Sequence, residues 1–131
     1  MTTDANSNVT ESLCEVLIID DEESLRDILK EGLEIMDRYR VSTAADAESG
    51  LAHIQTRVLD VLLLDIALPG MDGFELLRHL GPFGNVTRPR TVVAMSALTN
   101  RETNQKLSDP GVTSVLPKPF TLNELLKVAS T

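Results

Sequence analysis

Five side chains with chemically useful groups stand at or just after the ends of apolar segments in this chain of 131 residues: Asp20, Asp21, Asp65, Ser96 and Lys118. If those segments are parallel strands, three carboxylates, one hydroxyl and one ammonium meet at one edge of a sheet. Two carboxylates about 4 Å apart repel by about 4 kcal/mol at an effective dielectric of about 20. One of them must therefore be protonated, or a cation must lie among them. Oxygen ligands without a nearby His or Cys suit a hard cation, and Mg²⁺ with retained waters fits best.

A carboxylate beside Mg²⁺, a lysine and a hydroxyl is equipped to accept a phosphoryl group, because the metal and the ammonium neutralise the transferred oxygens. Each residue also has an ordinary structural role. Asp20 and Asp21 can cap a helix and favour its dipole, and Asp65 can cap a loop. Ser96 can close a turn, and Lys118 can be a solvated surface charge. Their predicted convergence at one edge favours the chemical interpretation.

Short apolar runs predict the strands that position these residues, and apolar residues at 3.6-residue spacing predict the helices between them. Strands are predicted over 15–20, 39–44, 60–65, 90–95 and 112–116, and helices over 22–37, 47–54 with Asp46 as cap, 74–80, 98–109 and 121–130. The inward stripe of the first helix is predicted as Leu25, Ile28, Leu29, Leu33 and Met36, and that of the last as Leu122, Leu125, Leu126 and Ala129. Residues 61–64 are continuously apolar, which is typical of a central strand covered on both faces. The alternation predicts an α/β fold, a three-layer, doubly wound, five-stranded parallel sheet with its site at the carboxyl ends of the strands.

The composition of the chain argues against several classes of function. The formal charge of −8 argues against binding a nucleic acid backbone or an acidic membrane surface, and no apolar run is long enough to cross a bilayer. The single cysteine, Cys14, fits a reducing compartment. The N-terminus lacks a signal-peptide pattern, so we expect a cytoplasmic location. Residues 1–13 are predicted to be a mobile tail and 14–131 the folded domain. His53 and His79 are expected at the surface and not as ligands.

Four sequence blocks make the chain resemble the receiver domain of two-component response regulators. The most specific is LDIALPGMDG at 64–73, and the others are IIDDE at 18–22, AMSA at 94–97 and LPKPF at 116–120. They occur in the family's order and at its spacings. The resemblance covers roughly residues 15–130 and implies a flavodoxin-like sheet with the strand order 2-1-3-4-5.

The resemblance also implies roles for individual residues. Asp65 matches the aspartate that is phosphorylated by a phosphohistidine. Asp21 matches the direct Mg²⁺ ligand, Asp20 the acid that binds the metal mainly through water, and the backbone carbonyl of Ala67 the third protein ligand.

The remaining implied roles concern the far side of the pocket. Ser96 matches the hydroxyl that bonds a phosphoryl oxygen, and Lys118 the ammonium that pairs with the phosphoryl group. A cis peptide is implied between Lys118 and Pro119. The family usually has Tyr or Phe where this chain has Val115, so the usual aromatic switch cannot operate. We hypothesise that signalling relies on the Ser96 loop and the predicted helix 98–109.

The function implied is a phosphorylation-activated signalling switch that changes its affinity for a downstream partner and has no separate substrate turnover. Its donor would be a sensor histidine kinase or a histidine phosphotransfer protein. It would be a monomer or a weak dimer through the face formed by helix 98–109, the fifth strand and the last helix. Two alternatives are a phosphatase with an aspartyl-phosphate intermediate, which needs a second acid where Ala67 stands, and an adaptor that never takes phosphate.

Overall fold

The computed structural model describes residues 13–68, 70, 73–80, 89–97 and 112–129. Those residues form five strands and four helices, which we number in chain order. They are β1 Cys14–Ile19, α1 Glu23–Glu34, β2 Tyr39–Ala44, α2 Ala47–Thr56, β3 Val61–Asp65, α3 Gly73–Arg78, β4 Thr91–Ser96, β5 Ser114–Pro117 and α4 Leu122–Ala129.

All five strands are parallel and form one sheet in the order β2-β1-β3-β4-β5, as predicted. Every residue of β3 is buried, which confirms its predicted central place. The chain runs outward from β1 to β2 and then returns across β1 to β3. The carboxyl ends of β1 and β3 therefore flank the point where the winding reverses, which is where sites form in such sheets.

Helices cover both faces of the sheet and complete the three layers. Successive side chains of a strand point to opposite faces. Ile18 and Leu63 accordingly belong to the core that contains side chains of α1 and α4. Their neighbours Ile19 and Leu64 belong to the core that contains side chains of α2 and α3. Two apolar cores, one on each face of the sheet, thus hold the strands in place.

The first helix differs from its prediction in length and in two inward residues. It ends at Glu34 and not at Asp37, because Asp37 has a left-handed backbone with φ of 56° that cannot continue a right-handed helix. Ile28 and Met36 were predicted to face inward, but 67% of Ile28 and 37% of Met36 is exposed, and Met36 lies after the end of the helix. The helix contacts the sheet through Leu29 and Leu33, and Ile28 lies about 100° around the helix from Leu29.

The other element predictions are correct to within a few residues. Asp46 caps α2, as predicted, by accepting a hydrogen bond at 2.8 Å from the backbone N–H of Ser49. Leu122 was predicted to face inward but is 36% exposed. The predicted mobile tail and the predicted helix 98–109 lie outside the described residues, apart from Leu13 at the end of the tail. Among the described helices, none has the length and apolar character needed to span a bilayer.

Candidate functional site

The site is built on two buried aspartates at the carboxyl ends of adjacent strands. Asp20 directly follows β1 and is fully buried, and Asp65 is the last residue of β3 and is 6% exposed. Asp21 is exposed at the rim. One carboxylate oxygen from each of the three residues lies within 4.8 Å of the other two. The sheet therefore brings together the three acids that the sequence predicted at this edge.

Lys118 supplies the positive charge. Its Nζ lies 2.8 Å from Oδ2 of Asp20 and 3.3 Å from Oδ2 of Asp65. The backbone fixes where this side chain starts, because the N–H of Lys118 donates to the carbonyl oxygen of Ser96 at 2.9 Å. The peptide between Lys118 and Pro119 is cis, as implied by the resemblance. Ser96 is buried at the last position of β4, at the same edge of the sheet.

Backbone groups hold both buried carboxylates in fixed orientations. Oδ1 of Asp20 accepts a hydrogen bond from the N–H of Glu22 at 2.9 Å, and Oδ1 of Asp65 accepts one from the N–H of Ala67 at 3.0 Å. The backbone carbonyl of Asp20 accepts a further hydrogen bond from Nη1 of Arg26 at 2.8 Å. The second oxygen, Oδ2, of each carboxylate faces Lys118. Both oxygens of Asp20 and of Asp65 therefore have a hydrogen-bond donor.

Burial dominates the electrostatics of Asp65. It raises the pKa of this carboxyl, and repulsion by Asp20 adds to the effect, although the hydrogen bond from Ala67 and the charge of Lys118 oppose it. Burial alone would lower the pKa of Lys118. The hydrogen bond to Asp20 and the attraction of both buried carboxylates outweigh it and raise the pKa of this ammonium. One ammonium thus compensates an excess of negative charge.

The residues present fit a hard divalent cation. Three carboxylates against one ammonium leave a formal charge of −2 in the cluster, with all three acids ionised. The cluster holds oxygen ligands and contains neither His nor Cys, which suits Mg²⁺. Ala67 is exposed beside it, and the sequence predicted its carbonyl as a further ligand. His53 lies in α2 and His79 directly after α3, and neither belongs to the carboxylate cluster.

Two residues that shape the pocket, Arg26 and Gly73, were not predicted from the sequence to do so. Arg26 was not singled out, although a basic residue in the first turn of a helix opposes the helix dipole and could have drawn attention. Gly73 was named only as the last residue of the sequence block 64–73. A Cβ at Gly73 would lie 2.9 Å from Cα of Ile66 and 3.0 Å from the carbonyl oxygen of Asp65. The backbone that carries Asp65 therefore packs directly against this glycine.

A cavity of about 370 Å³ opens beside the ammonium of the site. Its lining joins the start of α1, the end of β4 and the segment after β5. The lining residues are Glu22, Leu25, Ala97, Lys118, Pro119 and Phe120. Space next to the buried charges is therefore accessible from solvent.

Comparison with known proteins agrees with this geometry. Residues 16–130 match the family model described as the response regulator receiver domain. The KDP operon transcriptional regulatory protein KdpE of Escherichia coli K12 is 36% identical over 110 residues, which span 84% of this chain and 47% of KdpE. The chain thus spans about half the length of this curated relative.

Solved structures show the same architecture. The chemotaxis protein CheY4 of Vibrio cholerae has a TM-score of 0.79 and 30% identity, with 90% of this chain and 97% of CheY4 covered. A CheY-like receiver domain protein of Methanospirillum hungatei JF-1 has a TM-score of 0.76 and 31% identity, with 88% and 90% covered.

Proposed function

This chain belongs to the response regulator receiver family, and we propose that it carries a two-component signal by accepting a phosphoryl group on Asp65 in the presence of Mg²⁺. The donor is the phosphohistidine of a sensor histidine kinase or of a histidine phosphotransfer protein. The observation that supports this most directly is the buried carboxylate of Asp65, which contacts Lys118 within a cluster of three acids. Phosphorylation then changes the affinity of the chain for a downstream partner.

In the reaction, a carboxylate oxygen of Asp65 attacks the phosphorus atom, a P–O bond forms, and the P–N bond to the donor histidine breaks. Asp20, Asp21, Asp65 and the carbonyl of Ala67 would hold Mg²⁺, and the bound ion would neutralise charge on the phosphoryl oxygens. The hydrogen bond from Ala67 to Oδ1 keeps the acceptor carboxylate from rotating. Catalysis here is mainly positioning and charge compensation.

Lys118 and Ser96 would contact the phosphoryl group once it is bound to Asp65. A phosphoryl group adds nearly two negative charges at neutral pH, and the ammonium that already contacts Asp65 is the nearest cation in the described residues to compensate them. The hydroxyl of Ser96 would donate to a phosphoryl oxygen. Because the N–H of Lys118 is bonded to the Ser96 carbonyl, a change at either residue is passed to the other.

Val115 limits which structural changes can transmit phosphorylation of Asp65 to the surface of the domain. It lies in β5 and packs against the core on the α2 and α3 side of the sheet, where the family usually has an aromatic residue. We propose that the Ser96 loop and residues 98–109 transmit the change instead. Ala67 is apolar and cannot position a hydrolytic water, so the aspartyl phosphate should not be unusually short-lived.

The test is incubation with Mg²⁺ and acetyl phosphate, followed by intact mass measurement. One added phosphoryl group is expected, with none in Asp65→Asn or in the presence of excess EDTA. Equal labelling of Asp65→Asn would show that the acceptor is another residue, and no labelling of the wild-type chain would support an adaptor that takes no phosphate. Continued release of phosphate from small phosphoesters would favour a phosphatase.

A further inference from the structure

Arg26 holds the main chain at the point where two of the acids are attached, and we infer that it is a positioning residue for the divalent cation. This inference rests on the proposed function, since it concerns the same pocket. The guanidinium Nη1 donates to the backbone carbonyl oxygen of Asp20 at 2.8 Å. Arg26 touches neither carboxylate head in this contact, so it acts through the backbone.

The contact is one of several hydrogen bonds that hold the turn between β1 and α1. The side chain of Glu22, the N-cap residue of α1, accepts a hydrogen bond from the hydroxyl of Ser24 at 3.3 Å but caps no backbone N–H of the helix. The turn between β1 and α1 is held instead by Oδ1 of Asp20, which accepts from the Glu22 N–H, and by the Asp20 N–H, which donates to the carbonyl of Ala44. Arg26 adds a third anchor on the carbonyl between Asp20 and Asp21.

These anchors decide which way the two acids point. Asp20 is fully buried and turns to Lys118, whereas Asp21, its immediate neighbour, is exposed. The peptide plane between them sets the angle between the two side chains, and Arg26 fixes the oxygen of that plane. Loss of the contact would let the plane rotate and would spread the positions of both carboxylates. Partners that orient metal ligands in this way typically contribute about 10- to 100-fold in metal affinity.

The charge of Arg26 should lower the affinity for Mg²⁺, whereas its positioning of the acids should raise it. Because the two effects have opposite signs, an experiment can tell them apart. A cation close to an acidic pocket repels a second cation, so its removal by itself strengthens metal binding. The helix dipole likewise disfavours a positive charge in the first turn. A purely electrostatic role predicts tighter Mg²⁺ binding when Arg26 is neutralised, and a positioning role predicts weaker binding.

The experiment measures Mg²⁺ affinity by calorimetry in the wild-type chain and in Arg26→Met, Arg26→Lys and Lys30→Met. Arg26→Met should weaken binding by about tenfold, and Arg26→Lys should stay within about threefold because an ammonium can replace a single donor. Lys30 is exposed on the same helix, and Lys30→Met removes the same charge as a control. It should bind Mg²⁺ as tightly as the wild type or slightly more tightly.

A second readout separates positioning from damage to the fold. The Mg²⁺ concentration that gives half-maximal labelling by acetyl phosphate should rise about tenfold in Arg26→Met, while the rate at saturating Mg²⁺ stays near the wild-type value. Mg²⁺ binding in Arg26→Met that equals or exceeds the wild type overturns the inference and leaves the proposed function intact. Should Arg26→Met not fold, Arg26→Gln serves in its place with the same expected loss, because its amide is too short to reach the carbonyl. Absence of Mg²⁺ binding in the wild type would instead refute the proposed function.

Discussion

Replacement of Lys118 by methionine tests the charge balance of the pocket without a metal. The ammonium lies 2.8 Å from Oδ2 of Asp20 and 3.3 Å from Oδ2 of Asp65. At an effective dielectric of about 20, these contacts correspond to attractions of about 6 and about 5 kcal/mol. Methionine fills a similar volume but removes both.

The net loss of stability is smaller than the sum of these attractions. The ammonium no longer has to be desolvated, which returns several kcal/mol, and one of the carboxyls can take up a proton. Removal of one partner from a buried pair typically costs about 3 to 5 kcal/mol. Because the Lys118 side chain keeps 21% of its exposure, we expect the lower end, a decrease of about 3 kcal/mol in the free energy of unfolding.

The assay is urea unfolding followed by far-UV circular dichroism at pH 7 with EDTA. Lys30→Met, which removes an exposed lysine of α1, serves as the matched control and should change the free energy of unfolding by at most about 0.5 kcal/mol. Asp65→Asn in the Lys118→Met background should recover at least about 1 kcal/mol, because oxygens of Asp20 and Asp65 within 4.8 Å repel by about 3.5 kcal/mol or more at the same dielectric.

Two results would refute this reasoning. A Lys118→Met chain within about 1 kcal/mol of the Lys30→Met control would mean that the ammonium does not compensate the buried acids. A double variant no more stable than Lys118→Met alone would mean that repulsion between Asp20 and Asp65 is not what the lysine offsets.

Three further predictions concern the site and its support. Because burial raises the pKa of Asp65, the stability that this group contributes is complete below its ordinary value of 3.8 and is lost as the pH rises through the raised folded value. Asp65→Asn should therefore be more stable than the Mg²⁺-free wild type at pH 7 and gain nothing at pH of about 3, as urea titrations across this range would show; a pH-independent difference would contradict this cause. Gly73→Ala should cost about 1 to 3 kcal/mol and slow the labelling of Asp65, because its Cβ would press on the backbone of Asp65 and Ile66; thermal unfolding and intact mass measure both effects, and wild-type values would show that the loop has room. Gly50→Ala places a Cβ against Cδ1 of the buried Ile19, so overpacking of about 1 to 3 kcal/mol should exceed the helix-propensity gain of about 1 kcal/mol; in a double-mutant cycle Ile19→Val should relieve it, and strict additivity would exclude that contact as the cause.

The sequence alone predicts the sheet and the meeting of the acids with the lysine, because both depend on local signals. An apolar run that ends at Asp65 places a carboxylate at a strand end, whatever the rest of the chain does. Parallel pairing then brings Asp20 and Lys118 to the same edge, although they are 98 positions apart.

Features that depend on long side chains or on contacts between elements could not be predicted in this way. The bond from Arg26 to the Asp20 carbonyl depends on the reach of a guanidinium around a turn, which periodicity does not encode. Leu122 fits the inward stripe of α4, yet it is partly exposed. Its side chain lies against α1, because a Cβ at Gly32 would lie 3.0 Å from Cδ2 of Leu122. Its environment is set by a neighbouring helix and not by its own.

Within the part of the chain that the structure describes, β5, the strand that precedes Lys118, pairs with one neighbour, β4. Lys118 follows β5, at the edge of this sheet, whereas Asp20 directly follows the interior strand β1 and Asp65 ends the interior strand β3. Edge strands open locally at lower free energy than the centre of a sheet. Added negative charge at Asp65 should therefore strengthen the attraction of Lys118 and hold β5 more firmly to the interior strands. A cation that competes with Lys118 for the same carboxylates should weaken this attraction. The charge of the pocket and the local stability of β5 are thereby coupled, so protection of the β5 amides from hydrogen exchange should increase with negative charge at Asp65.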